Sequence, residues 1–76
     1  MNNVLVSYDL NKEGQDYKKL FDFFKSQSSS FHYMKSVWML ETQLSVVDFT
    51  SELKKHLDNN DKYVVVDITE TPFYFN

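Results

Sequence analysis

A chain of 76 residues makes one small domain. It buries only roughly 60–65% of the surface its unfolded form exposes, so its core is modest and a partner chain would add to it. There is no cysteine, which excludes a disulfide framework, a Cys-containing zinc site and thiol chemistry. The net charge is −3 and all eight basic residues are lysine. That disfavours a surface that coats extended nucleic acid, and the absence of arginine removes the planar fork suited to phosphate and guanine. With 42% apolar and 25% charged residues the composition is that of a globular domain, too hydrophobic for a disordered chain. No apolar run reaches membrane-spanning length, and the N-terminus lacks a basic-then-apolar signal pattern. The expectation is a soluble, cytoplasmic protein with no membrane partner. Seven Phe, five Tyr and one Trp make 17% of the chain aromatic. Scarce Arg, Ala, Gly and Pro beside abundant Asn, Lys, Phe and Tyr fits AT-rich codons, hence a low-GC bacterium or its phage.

Residues 3–10 (NVLVSYDL) alternate and are β-branched at their centre, which predicts a strand. Val4, Val6 and Tyr8 share one face, and Leu5, Ser7 and Asp9 the other. Asn11-Lys12-Glu13-Gly14 reads as a turn. From Asp16, a plausible N-cap by residue type, the period becomes helical: Tyr17, Leu20, Phe21 and Phe24 form a stripe, with Phe23 at its edge. Gln27 to Ser30 reads as a polar connection. Residues 31–36 (FHYMKS) and 37–42 (VWMLET) are two strands or one long bent strand. Alternation leaves open which face of the second meets the core. Ser45 with Asp48 resembles a capping box. It opens a helix whose stripe is Val46, Phe49, Leu53 and Leu57. Asp58 to Asp61 is a polar turn. Residues 62–69 (KYVVVDIT) make the strongest strand, with Val64, Val66 and Ile68 as its apolar face. Pro72 then interrupts, leaving the tail Phe73-Tyr74-Phe75-Asn76.

The order β-α-β-β-α-β predicts an α+β, ferredoxin-like domain over residues 1–76: a four-stranded antiparallel sheet with both helices on one face. One sheet face then stays uncovered. Leu5, Tyr63, Val65 and either Met39 or Trp38 are expected on it, an unusual apolar exposure for a monomer. A homodimer or higher oligomer through that face, with the aromatic tail added to a sheet edge, would cover both.

The first strand ending in Tyr8-Asp9-Leu10, the element order and the short length resemble the Cas2-like group, which includes Cas2 and the VapD toxins. Ser7-Tyr8-Asp9-Leu10-Asn11, Gly14 with Asp16-Tyr17, His32 with Ser36-Val37-Trp38, Glu41-Thr42 with Ser45, and Leu57-Asp58 with Asn60-Asp61 resemble small bacterial and phage "SinR family" proteins. That resemblance runs over almost the whole chain. The Cas2-like resemblance implies a homodimer with facing sheets and, in some members, metal-dependent cleavage of RNA or DNA. Asp9 would be the carried-over catalytic and metal-binding residue, two such carboxylates holding one Mg²⁺. A lone Asp after a strand is more often a turn former or a helper of the next loop. Despite the "SinR" name nothing scans as helix-turn-helix, because strands separate the two helices.

His32 and His56 have no His or Cys at ligand spacing, which argues against a transition-metal site. The aromatics around His32 suit a stacking platform for a base, though aromatics at this spacing more often build a core. Lys18, Lys19 and Lys25 give the first helix a basic side, and Lys54 and Lys55 the second; such runs are usually solvated faces. One glycine cannot form a phosphate loop, so a dinucleotide or kinase-type enzyme is excluded. Three functions remain. The first is a phage or mobile-element binding protein without a cofactor. It would sequester a nucleotide or inhibit a host defence component of CRISPR or CBASS type, with Asn11, Tyr17, His32, Ser36 and Trp38 lining the ligand groove between subunits. The alternative is a Cas2/VapD-like Mg²⁺-dependent endoribonuclease using Asp9. The third is a structural accessory dimer.

Overall fold

The computed structural model describes residues 1–10 and 17–71. The expected Asn11–Gly14 turn, the Asp16 cap, the Asn11 ligand position and the aromatic tail lie outside the described residues. The elements run β1 (Asn2–Asp9), α1 (Lys18–Lys25), β2 (Ser29–Met34), β3 (Val37–Thr42), α2 (Val46–Lys54) and β4 (Lys62–Asp67). The four strands form one antiparallel sheet in the order β2-β3-β1-β4. This α+β fold is compatible with the ferredoxin-like arrangement.

Strand β1 is the centre, paired with β3 on one side and β4 on the other. Its period-2 alternation sends Val4, Val6 and Tyr8 to the buried face. Register then fixes its neighbours: Val4 lies opposite Leu40 and Val6 opposite Trp38, so Trp38, Leu40 and Thr42 are the inward face of β3. On β4, Val65 lies opposite Val6 and Tyr63 opposite Tyr8. Tyr63 and Val65 therefore pack against the core, while Val64 and Val66 are exposed. This reverses the expectation for β4. Both of its faces are apolar, so its own alternation carries no phase, and pairing with β1 supplies it.

Leu20 and Phe24 of α1, and Phe49 and Leu53 of α2, complete a single core over the Val4, Val6 and Tyr8 face. Both helices therefore cover the same side of the sheet. Half-buried Phe23 joins them, its ring 5.2 Å from Phe49 and 5.1 Å from His56. At the start of α2 the Ser45 hydroxyl accepts from the Asp48 N–H at 3.1 Å, the serine half of the expected box. Buried Asp61 ties the polar turn to α1: Tyr17 Oη donates to its Oδ1 at 3.2 Å, and the Asp58 N–H donates to its Oδ2 at 2.8 Å.

Strand boundaries differ from expectation in β1, which is shifted by one residue, and in β2 and β4. Ser29 and Ser30 belong to β2, paired with Glu41 and Leu40, while Lys35 and Ser36 form the two-residue hairpin turn. Serine is neutral enough to join a ladder that the chain beyond it requires. Strand β4 ends at Asp67, whose carboxylate accepts from the Thr69 N–H at 2.9 Å and from its hydroxyl at 2.6 Å. These bonds hold the Asp67 carboxyl below the usual carboxylate range.

Thr42 is the one fully buried polar residue of the sheet face: its hydroxyl donates to Gln27 Oε1 at 2.7 Å and accepts from the Leu44 N–H at 3.1 Å. Thr42→Val keeps the shape and orphans both partners, so urea unfolding should show a loss of about 1–3 kcal/mol. Ser45→Ala should cost about 1 kcal/mol in the same assay, since only the cap is removed.

Candidate functional site

Among the described residues nothing covers the side of the sheet away from the helices. Alternation places Leu5, Ser7 and Asp9 there from β1, with Val37 and Met39 from β3 as their register neighbours. Phe31 and Met34 join from β2, and Val64 and Val66 from β4. Of these, Phe31 is 51% exposed, Met34 53%, Val64 57% and Val66 42%. Isolated exposed apolar groups are ordinary, but this set comes from strands of one surface. Phe31 and Tyr33 also pair their rings at 5.6 Å. Asp9 is exposed on the same surface, at the end of β1 opposite Lys62.

A second constellation stands at the β2–β3 hairpin on the helix side. Trp38 is 3% exposed and cannot itself offer a ring face to solvent. His32 lies flat on its indole, with centroids 4.2 Å apart and planes at 11°. Phe24 and Phe21 meet the same indole at 4.9 and 5.7 Å. The polar edges close into a chain. Trp38 Nε1–H donates to Tyr8 Oη at 3.2 Å, and Tyr8 Oη donates to the Lys35 carbonyl at 3.3 Å. His32 Nε2 lies 3.1 Å from that same carbonyl. A carbonyl only accepts, so Nε2 carries the proton and Nδ1 of the neutral ring is left as an acceptor. Exposed His32 thus lies at the edge of a buried aromatic stack.

Of the residues expected to form a ligand groove, the structure brings together His32, Trp38 and the turn residue Ser36, whose carbonyl accepts from the Tyr8 N–H at 3.1 Å. Tyr17 is elsewhere: its hydroxyl is bound to Asp61, just before β4, whereas His32 lies on β2 at the other edge of the sheet. Three inter-strand spacings separate those edges, about 14 Å. None of the hairpin set lies on the open sheet face, so a contact between bare faces would be made by Leu5, Phe31, Met39, Val64 and Val66 instead. The phase of β4 against β1 is the signal that would have found Val64 and Val66. Among the described residues no group of three or more His, Asp or Glu side chains is placed to hold a metal ion, and no helix is long and apolar enough to cross a membrane.

Comparison with protein-family models, with curated proteins and with solved structures found no match. The resemblance to Cas2-like and SinR-family proteins therefore rests on the sequence features alone.

Burial pushes the Tyr8 phenol above its ordinary value, against a smaller downward pull from the Trp38 N–H. An acid whose folded pKa is raised contributes full stability below the unfolded pKa, about 10 for tyrosine, and loses it as pH climbs through the folded value. Chemical denaturation of the natural chain should weaken above that pH by an amount that Tyr8→Phe removes. At neutral pH the same variant should lose about 1–3 kcal/mol, because Trp38 Nε1–H is left without its acceptor.

Proposed function

We propose that the chain is a Cas2-like, ferredoxin-like homo-oligomeric binding protein of phage or mobile-element type. Copies join through the open sheet face, and the assembly acts in the cytoplasm, of the host cell if phage-encoded. There it captures a nucleotide or a component of a host defence system. The bare face carries this reading: Phe31, Met34, Val64 and Val66 are exposed together on a sheet whose two helices cover only the other side. Water-exposed apolar surface of this kind favours association, at about 25 cal/mol per Å² removed from water. The His32 ring, held on Trp38 with Nδ1 available, is the polar contact that the hairpin offers to a ligand.

Native mass spectrometry and gel filtration with light scattering test the assembly. The natural chain should be a dimer or larger at high micromolar concentration. Val64→Lys with Val66→Lys should give monomers with an unchanged circular dichroism spectrum. A natural chain that stays monomeric throughout that range overturns the reading.

Asp9 supports a second reading, as a metal-dependent endoribonuclease. It is exposed on the same bare face, so two copies joined there in an isologous contact would bring two Asp9 carboxylates into one interface. Among the described residues no group of three His, Asp or Glu side chains makes a metal site within one chain; a pair of Asp9 carboxylates would fit Mg²⁺, which binds through one or two carboxylates and keeps several waters. Bound there, the metal would supply an activated water and charge neutralisation at the scissile phosphate. If this reading holds, purified protein with magnesium cleaves labelled RNA and Asp9→Asn abolishes the cleavage while leaving the dimer intact. Cleavage that persists in Asp9→Asn, or none in the natural chain, eliminates it.

A further inference from the structure

The two outer strands of the sheet finish their edges differently. β2 and β4 stand at the ends of the order β2-β3-β1-β4, so each has one side that no strand among the described residues pairs with. Proteins guard such edges with bulges, prolines or charges, because a row of open N–H and C=O groups recruits another chain. β2 carries a guard: its pairing with β3 is irregular between His32 and Met34. The middle of β4 carries none. Its pairing with β1 runs from Lys62 to Asp67 without a register shift, and Tyr63-Val64-Val65-Val66 has neither a proline nor a charge.

The phase of the ladder says which backbone groups face outward. The Ile68 N–H donates to the Asn3 carbonyl at 2.8 Å. Bonded positions recur at every second residue of an antiparallel pair. Val66 and Val64 therefore also turn their backbone groups to β1, while Tyr63, Val65 and Asp67 turn theirs to the outer edge. That edge is self-complementary. A second copy, rotated about a two-fold axis through Val65 and perpendicular to the sheet, sets Val65 opposite the partner's Val65 and Tyr63 opposite the partner's Asp67. Every outward N–H and C=O of the strand then has an acceptor or a donor.

The side chains agree with that register. The axis keeps both copies' helices on one side, so exposed Val64 meets the partner's Val66 on the open face, a pair of β-branched neighbours. Antiparallel pairing brings Lys62 to the same end of the ladder as the partner's Asp67 and sets no charge opposite a like charge. Centring on Val64 would instead set Asp61 opposite the partner's Asp67. Centring on Val66 would carry Tyr63 past the strand's end, opposite the partner's Thr69.

We propose that β4 is a self-pairing edge: two copies of the chain join antiparallel along it, centred on Val65, into one continuous sheet. This contact is made by backbone groups at the edge and goes beyond the face-to-face assembly proposed above, from which it stands or falls separately.

A chain without cysteine makes the register testable by cross-linking. Val64→Cys and Val66→Cys chains, mixed and mildly oxidised, should give the mixed disulfide dimer in preference to either homodimer. Positions 64 and 66 face each other at a non-bonded site, where Cα atoms lie about 4.5 Å apart, within disulfide reach. Each position is two residues further along from its own copy, which is beyond that reach. Both variants replace exposed valines and should keep the natural circular dichroism spectrum. Amide exchange of the natural chain gives an independent measure. At high micromolar concentration the Tyr63, Val65 and Asp67 amides should be protected, and dilution should remove that protection. Val64 and Val66, bonded to β1, should stay protected throughout. Phe31→Lys, on the open face at the opposite edge, should leave the pattern unchanged. Face-to-face association alone would leave the Tyr63, Val65 and Asp67 amides exchanging fast at every concentration; that result overturns the edge contact and spares the face contact. Homodimeric disulfides in equal or greater yield, or protection independent of concentration, would overturn it too.

Discussion

Everything in this molecule is referred to β1. It is the longest strand, it has a neighbour on each side, and its alternation decides which side chains of β3 and β4 are buried. A slip of one residue in either pairing would turn Trp38, Leu40 and Val65 outward and bring Met39 and Val66 in. The slip is opposed by bulk and by polarity together. Trp38 and Tyr8 satisfy each other's polar atoms only in the observed register, and Thr42 finds Gln27 and Leu44 only there. Among the described residues no buried side-chain nitrogen or oxygen lacks a partner, so the register is held by bonds as well as by packing.

The same constraint produces the bare face. Two helices of eight and nine residues reach over one side of four strands and, among the described residues, leave the other side uncovered. The functional proposals divide along this line. The proposed association belongs to the open face, where Asp9 also lies, while the hairpin belongs to the helix side. A ligand bound on the helix side would therefore not compete with assembly for surface.

The hairpin shows how one aromatic cluster serves both core and surface. Trp38 is buried, but His32 lies on it and remains exposed, joined to Tyr8 through a single carbonyl of Lys35. His32 and Tyr8 share that carbonyl as acceptor, so the exposed ring and the buried phenol meet at one backbone group.

By itself the sequence determined the element order, both helical stripes, the Ser45 cap and the inward triplet of β1, because each is written in local periodicity or a short-range bond. The apolar surplus on the uncovered face was legible too, with Leu5 on it. What only the tertiary structure decided is the phase of strands with two apolar faces. Val64 and Val66 are as hydrophobic as Val65, and nothing within β4 says which of them meets the core; pairing with Val6 says so. The separation of Tyr17 from His32 is likewise absent from any local pattern. It arises because the strand order places distant segments at chosen edges, and long-range pairing is the one quantity that spacing along a chain does not encode.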